Sequence, residues 1–259
     1  MRDGSGMLEV RHLSKHFGGI RAVDDCSFAV EKGSITALIG PNGAGKTTAF
    51  HCISGTMKPT AGEIWLKGER VDGLRPHQVA RRGLGRTFQI SRNLEDLTVL
   101  ENLIVQSHVH GIGGLFKRAI AKDEVEKAMG LLEFLGITRL AHEETRNLSY
   151  GQKKLMDFGA LLMADPDIIL LDEPASGVNP RLLEDIIDRI RHLNEQGITV
   201  LIVEHNMDVV MRISHRVVVM AYGEVLRVGS PDEVQNDPEV LEAYLGGARP
   251  LEESGHAAA

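Results

Sequence analysis

The sequence predicts an α/β protein: a doubly wound, mostly parallel sheet with an antiparallel β edge and an inserted helical subdomain. Three observations carry this. Continuous apolar runs at Ile35–Ile39, Ile168–Leu171, Thr199–Val203 and Val217–Met220 have the length and composition of strands covered on both faces. A helical stretch, Pro180–Gln196, separates two of these runs, as a parallel crossover requires. Between Ile35–Ile39 and Ile168–Leu171 the pattern changes period: Leu97, Leu100, Leu103 and Ile104, then Val125, Met129, Leu132 and Leu135, recur at helical spacing.

The elements follow in order. Leu8–Leu13, Cys26–Val30 and Glu63–Lys67 are short β-rich runs, and they form the antiparallel part. Ile35–Ile39 ends in a glycine-rich turn, Gly40 to Gly45, followed by a helix from Lys46 to about Gly55. From about Ile90 to Ala164 the chain is helical, with the glycine-bearing stretch His108–Lys122 as a loop or short helix inside it. Glu224–Val228 adds a strand after Val217–Met220. Pro231–Leu245 makes two short helices, each opened by a proline (Ser230-Pro231 and Asp237-Pro238). The expected division is a core from residues 7–89 and 165–246, a helical subdomain at 90–164, and a disordered Ala-rich tail at 247–259.

Composition narrows the function classes. The chain has 259 residues, 42% hydrophobic and 25% charged, ordinary for a soluble globular protein. No window approaches the roughly 18 consecutive apolar residues of a membrane-spanning helix, and Met1–Gly6 lacks an apolar signal-peptide core. A formal net charge of -7 argues against nucleic acid as partner. Cys26 and Cys52 are in no metal or redox spacing and lie among apolar neighbours, which predicts buried free thiols and a reducing, cytoplasmic compartment. His108 and His110 flank Val109 without further ligands, so they are surface positions rather than a metal site.

Chemistry enters at Gly40-Pro-Asn-Gly-Ala-Gly-Lys46-Thr47, a P-loop pattern in the context the pattern needs, after a buried strand and before a helix. Glycines let the backbone wrap phosphates and aim N–H groups at them, and the helix N-terminus favours their charge. Asn42, Gly43, Ala44, Gly45, Lys46, Thr47 and Thr48 are the nucleotide-binding candidates. Lys46 reaches the β- and γ-phosphates, and the Thr47 hydroxyl holds Mg²⁺. In the second half, Ile168–Leu171 runs into Asp172-Glu173. Asp172 at the strand tip is placed to coordinate Mg²⁺ through water. Glu173, one residue on, points elsewhere and polarises the attacking water.

Leu148-Ser149-Tyr150-Gly151-Gln152, some twenty residues before that strand, resembles the signature motif of ABC ATPases. Physically it is a second anion site, with Ser149 capping the helix that begins near Gly151. The fold thereby implied is the P-loop NTPase sheet of ABC ATPase type, with ATP and Mg²⁺ as ligands. The resemblance further implies that Ser149, Gly151 and Gln152 face the γ-phosphate held by a second ATPase subunit, homo- or heterodimeric. It also implies that Gln89 contacts Mg²⁺ and water, that His205 reads the γ-phosphate and that Phe17 stacks on adenine. The catalytic set is thus Glu173, His205 and Gln89, and the metal set Thr47, Gln89 and Asp172. Asn179 stands where ABC proteins usually carry Asp.

Tyr150, the run Pro174–Pro180, Val203–Met211 and the ending Asn236–Gly246 are similar to the branched-chain amino acid importer ATPases, in which Asn179 is common. The likeness spans Leu8 to Gly246. Lys153–Gly159 departs from it, and urea and lipopolysaccharide systems use close relatives. The family implies permease subunits as membrane partners, a substrate-binding protein acting indirectly, and a peripheral place on the cytoplasmic face of the membrane. A P-loop kinase has no use for Leu148–Gln152. An ABC ATPase of repair or translation carries a second unit or a coiled coil that this chain does not show. A hydrolysis-dead binding module would not need Glu173 and His205.

Overall fold

A computed structural model describes residues 6–87, 94–105 and 122–245. The chain opens with a long antiparallel hairpin, β1 (Gly6–Phe17) and β2 (Ile20–Glu31), turned at Gly18-Gly19. β3 (Ile35–Ile39) follows, buried at every residue, and delivers the glycine turn to α1 (Lys46–Ile53). Next come β4 (Ala61–Leu66), β5 (Glu69–Arg70), a five-residue helix α2 (Pro76–Ala80) and β6 (Leu84–Arg86). The sequence gives no warning of α2 or β6. Each is too short to show a period, and β6 owes its existence to pairing with a strand eighty residues on.

The helical middle contains α3 (Val99–Val105), α4 (Lys122–Phe134) and α5 (Tyr150–Leu162). Leu97 precedes α3 rather than belonging to it. His108 and His110 lie outside the described residues. The remaining chain alternates: β7 (Ile168–Asp172), α6 (Pro180–Glu195), β8 (Thr199–Val203), α7 (Met207–Ile213) and β9 (Arg216–Ala221). It closes with β10 (Glu224–Gly229), α8 (Pro231–Gln235) and α9 (Pro238–Leu245). Ser230 and its partner Glu233 form a reciprocal capping box at α8, with proline at the first helical position.

Two sheets result. The antiparallel part forms a sheet of its own, in the order β2-β1-β4-β5; the larger has the order β10-β9-β3-β8-β7-β6. In the latter, β9, β3, β8, β7 and β6 are parallel, while β10 returns antiparallel on β9. The strand expected at Glu224–Val228 is thus present, and its sense, which the sequence reading left unassigned, is antiparallel. Only Tyr222 and Gly223 join the two strands, too short for a crossover.

The large sheet divides its side chains by parity. Ile35, Ala37, Ile39, Ile169, Leu171, Val200, Ile202, Val217 and Val219 join one core, shared with α3 to α7. Leu38, Ile168, Leu170, Leu201, Val203, Val218 and Met220 join the other, which includes α1 and the antiparallel sheet. Both faces of the central strands are therefore covered, which matches their near-continuous apolar runs.

Candidate functional site

Parallel register brings three strand ends to one edge. Leu38 and Asp172 both pair with Val203, so the loops leaving β3, β7 and β8 emerge side by side. The first is the glycine turn. Gly40, Gly43 and Gly45 have φ of 145°, 81° and 98°, left-handed values that other residues avoid. A Cβ on Gly40 would overlap the Met220 carbonyl oxygen, and one on Gly45 the Ala22 carbonyl oxygen. Gly45 is the N-cap of α1 and supplies no side-chain acceptor, so that helix end has no capping side chain. Ala44 is buried; Asn42, Gly43 and Thr47 are exposed, and Thr48 is half-buried.

Lys46 is 5% exposed, and its Nζ donates to the carbonyl oxygens of Gly40 at 2.8 Å and Pro41 at 2.9 Å. Burial pulls its pKa down, partly offset by the Glu173 carboxylate. The same carboxylate is the hub of the second loop. Glu173 has φ 47°, donates its N–H to Val203 O at 2.9 Å, and places Oε1 2.8 Å from His205 Nε2. Asp172, the last residue of β7, is 8% exposed and lies 3.4 Å from Arg86 Nη2. Burial raises its pKa, with the Arg86 guanidinium pulling the other way.

Ser149 caps α5. Its Oγ accepts from Gln152 N at 3.4 Å, and Gln152 Oε1 accepts from Ser149 N at 2.8 Å. Ser149, Gly151 and Gln152 open into a separate groove of about 380 Å³, shared with Gly177, Asn179 and Leu182 but with no P-loop residue. The fold thus brings together Lys46, Asp172, Glu173 and His205 and leaves the Ser149 group apart. Phe17 is 46% exposed at the end of β1, its ring 5.1 Å from Lys15 Nζ. It pairs with Ile20 of β2, the strand whose Ala22 and Val23 back onto Gly45. Gln89 lies outside the described residues.

A sequence profile described as ABC transporter matches residues 23–176, more than half of the chain, including the P-loop, Ser149–Gln152, Asp172 and Glu173. The chain belongs to the ABC transporter family of ATP-binding subunits. A second profile, described as branched-chain amino acid ATP-binding cassette transporter, matches residues 228–249. The high-affinity branched-chain amino acid transport ATP-binding protein BraF of Pseudomonas aeruginosa is 41% identical over 251 residues, 93% of this chain and 98% of that protein. The probable branched-chain amino acid transport ATP-binding protein LivG of Archaeoglobus fulgidus is 39% identical over 245 residues, 93% and 95%. Among solved structures, the ADP conformation of the ATP-binding cassette MJ1267 superposes with a TM-score of 0.83 at 36% identity, covering 93% of this chain and 99% of that one. The dimeric post-hydrolysis cassette MJ0796 bound to ADP and Pi gives 0.75 at 25% identity, 87% and 99%. This ABC subunit binds ATP and couples its hydrolysis to transport. Among its described residues no helix is long and apolar enough to cross a membrane.

Sequence reading missed several residues that the fold adds to this cluster. Arg86 donates to Ser54 Oγ at 2.6 Å and lies 5.0 Å over the Phe50 ring, tying α1 to Asp172. His51 titrates in the same cluster, its pKa lowered by burial and then by Arg86. Neither has a local signal, because their partners are far away in sequence. Glu204 had one: like Asp172 it is a carboxylate at the end of a buried strand. It is 2% exposed and accepts from the N–H groups of Ala175 at 2.8 Å, His205 at 3.1 Å and Asn206 at 3.3 Å.

Proposed function

We propose that this subunit drives a branched-chain amino acid importer, hydrolysing ATP between its own P-loop and the Ser149 groove of a second ATPase subunit. The contact between Glu173 Oε1 and His205 Nε2, 2.8 Å apart beside the P-loop, carries the catalytic half of the reading. In it, Lys46 and the Gly43–Thr48 backbone bind the phosphates, Glu173 polarises the water, and His205 holds Glu173 and senses the γ-phosphate. Phe17 stacks on adenine, and Gln89 links nucleotide to the helical unit of residues 90–164, which moves against the core of residues 7–89 and 165–246. Ser149, Gly151 and Gln152 act in trans; their separation from the P-loop within one chain supports this.

Mg²⁺ fits the donors present. Thr47 and Asp172 offer hard oxygens, and burial leaves the Asp172 charge poorly solvated. Thr47 and Asp172 would hold the ion together with oxygens of the bound nucleotide. An ion held there would neutralise phosphate charge. ATP shifts the open–closed equilibrium by its differential affinity for the closed dimer. The partners are permease subunits at the cytoplasmic face, served by an extracytoplasmic substrate-binding protein. The cargo rests on the match at residues 228–249 and on the names of the full-length relatives.

The test is uptake of labelled leucine by source cells whose only copy carries Glu173→Gln. Lost leucine uptake with an unrelated nutrient entering normally is the expected result. Normal leucine uptake would overturn the cargo assignment.

A further inference from the structure

Lys154 is a residue for which the family resemblance assigns no role, in the stretch where this chain departs from its branch. It lies on the first turns of α5, the helix that Ser149 caps. Its Nζ donates to the carbonyl oxygens of Ser176 at 2.6 Å, Pro174 at 3.3 Å and Glu173 at 3.4 Å. An ammonium has three donors, and here all three go to one loop. The cation also lies 5.3 Å over the ring of Tyr150, one turn back on the same helix.

That loop needs holding. Beneath it is a cavity of about 90 Å³, floored by Leu155, Phe158, Ile186 and Ile190. Ala175 and Val178 pack the loop against the core, and hydrogen bonds hold its Glu173 end. Two supports come from the sheet: Glu173 N–H on Val203 O, and Glu204 Oε1 accepting from Ala175 N–H at 2.8 Å. Lys154 is the support from the helical side. It grips the carbonyl of Glu173 itself, which sits at φ 47° and is held in that conformation by its surroundings.

We propose that Lys154 is a positioning residue for ATP hydrolysis. It ties the carboxylate-bearing loop to the signature helix of the same chain, so that a displacement of α5 moves Glu173. A helix engaged by the partner's nucleotide would in this way adjust the water-polarising group of its own site. The proposal rests on the reading of Glu173 given above.

The experiment measures steady-state ATP turnover of the full chain purified with its membrane partners. Lys154→Met keeps the aliphatic stem over Tyr150 and removes the donors; Lys154→Arg keeps charge and donors. The expected result is a kcat on the order of tenfold lower for Lys154→Met, as misplacement of a catalytic group produces. KM for ATP and the unfolding midpoint stay at wild-type values, and Lys154→Arg recovers most of the rate. Wild-type kcat in Lys154→Met overturns the proposal. So does a rate loss that Arg does not rescue and that comes with raised KM and a lower unfolding midpoint, the mark of a residue needed only for folding. Glu173→Gln is assayed alongside. If it turns over normally, the Glu173 reading falls; if it is inactive while Lys154→Met is normal, only the role of Lys154 falls.

Discussion

Lys46 is buried, and its polar contacts are local. Its ammonium is held by two carbonyl oxygens of the loop it serves, and burial has already weakened its hold on the proton. Phosphate oxygens are better partners than carbonyls for such a cation. Lys46→Ala should therefore lose ATP binding while the fold survives, and near-normal affinity by calorimetry would contradict the cradle. Gly45 answers to backbone geometry instead. At φ 98° with the Ala22 carbonyl against it, Gly45→Ala meets both strain and overlap and should lower stability by about 2 kcal/mol or more in urea unfolding. The glycines of this loop were legible as a motif. The reason for each was not, because Ala22 and Met220, which crowd Gly45 and Gly40, come from β2 and β9.

At the scale of elements, caps and apolar period accounted for what the sequence revealed. α6 was legible from its proline and its apolar spacing, and Asn179 is its N-cap, accepting from Leu182 N at 2.9 Å. Asn179→Ala should cost about 1 kcal/mol of stability through the lost cap, with any larger loss of turnover reporting on the adjacent groove. At α5 the capping box fixes Ser149 beside the groove. Ser149→Arg should leave ATP binding to a single subunit intact and abolish hydrolysis; retained hydrolysis would mean that no site forms between subunits. What stayed hidden were β6, α2, α7 and the antiparallel sense of β10. Short elements carry too few residues for a period to emerge, and strand direction follows from the connection rather than the strand.

At the scale of the whole molecule, the described residues form two apolar cores on either side of the large sheet, and both cysteines belong to the core that contains α1. Burial pushes the Cys26 thiol up to about 12, with Asp25 adding to it, and Cys52 up to about 11, with Lys15 opposing. The folded state thus holds these protons more tightly than the unfolded chain, whose thiols titrate near 9. This contribution to stability is complete below about pH 9 and is lost as pH rises toward 11 to 12. Urea midpoints should fall over that window, and Cys26→Ala should make the fall shallower. Neither thiol should alkylate in the native protein at neutral pH, and both should in denaturant.

By itself the sequence determined what is local: the buried strands, the glycine turn after β3, the paired acids ending β7, the helix caps and the family to which they belong. These follow from residue type and spacing over a handful of positions. Tertiary structure alone decided which strand ends adjoin, that His205 meets Glu173, that Arg86 ties α1 to Asp172, and that Lys154 hangs from α5 onto the carboxylate loop. Those contacts join residues 19 to 86 positions apart. They exist because the strand order sets which loops adjoin, and no local pattern records that order.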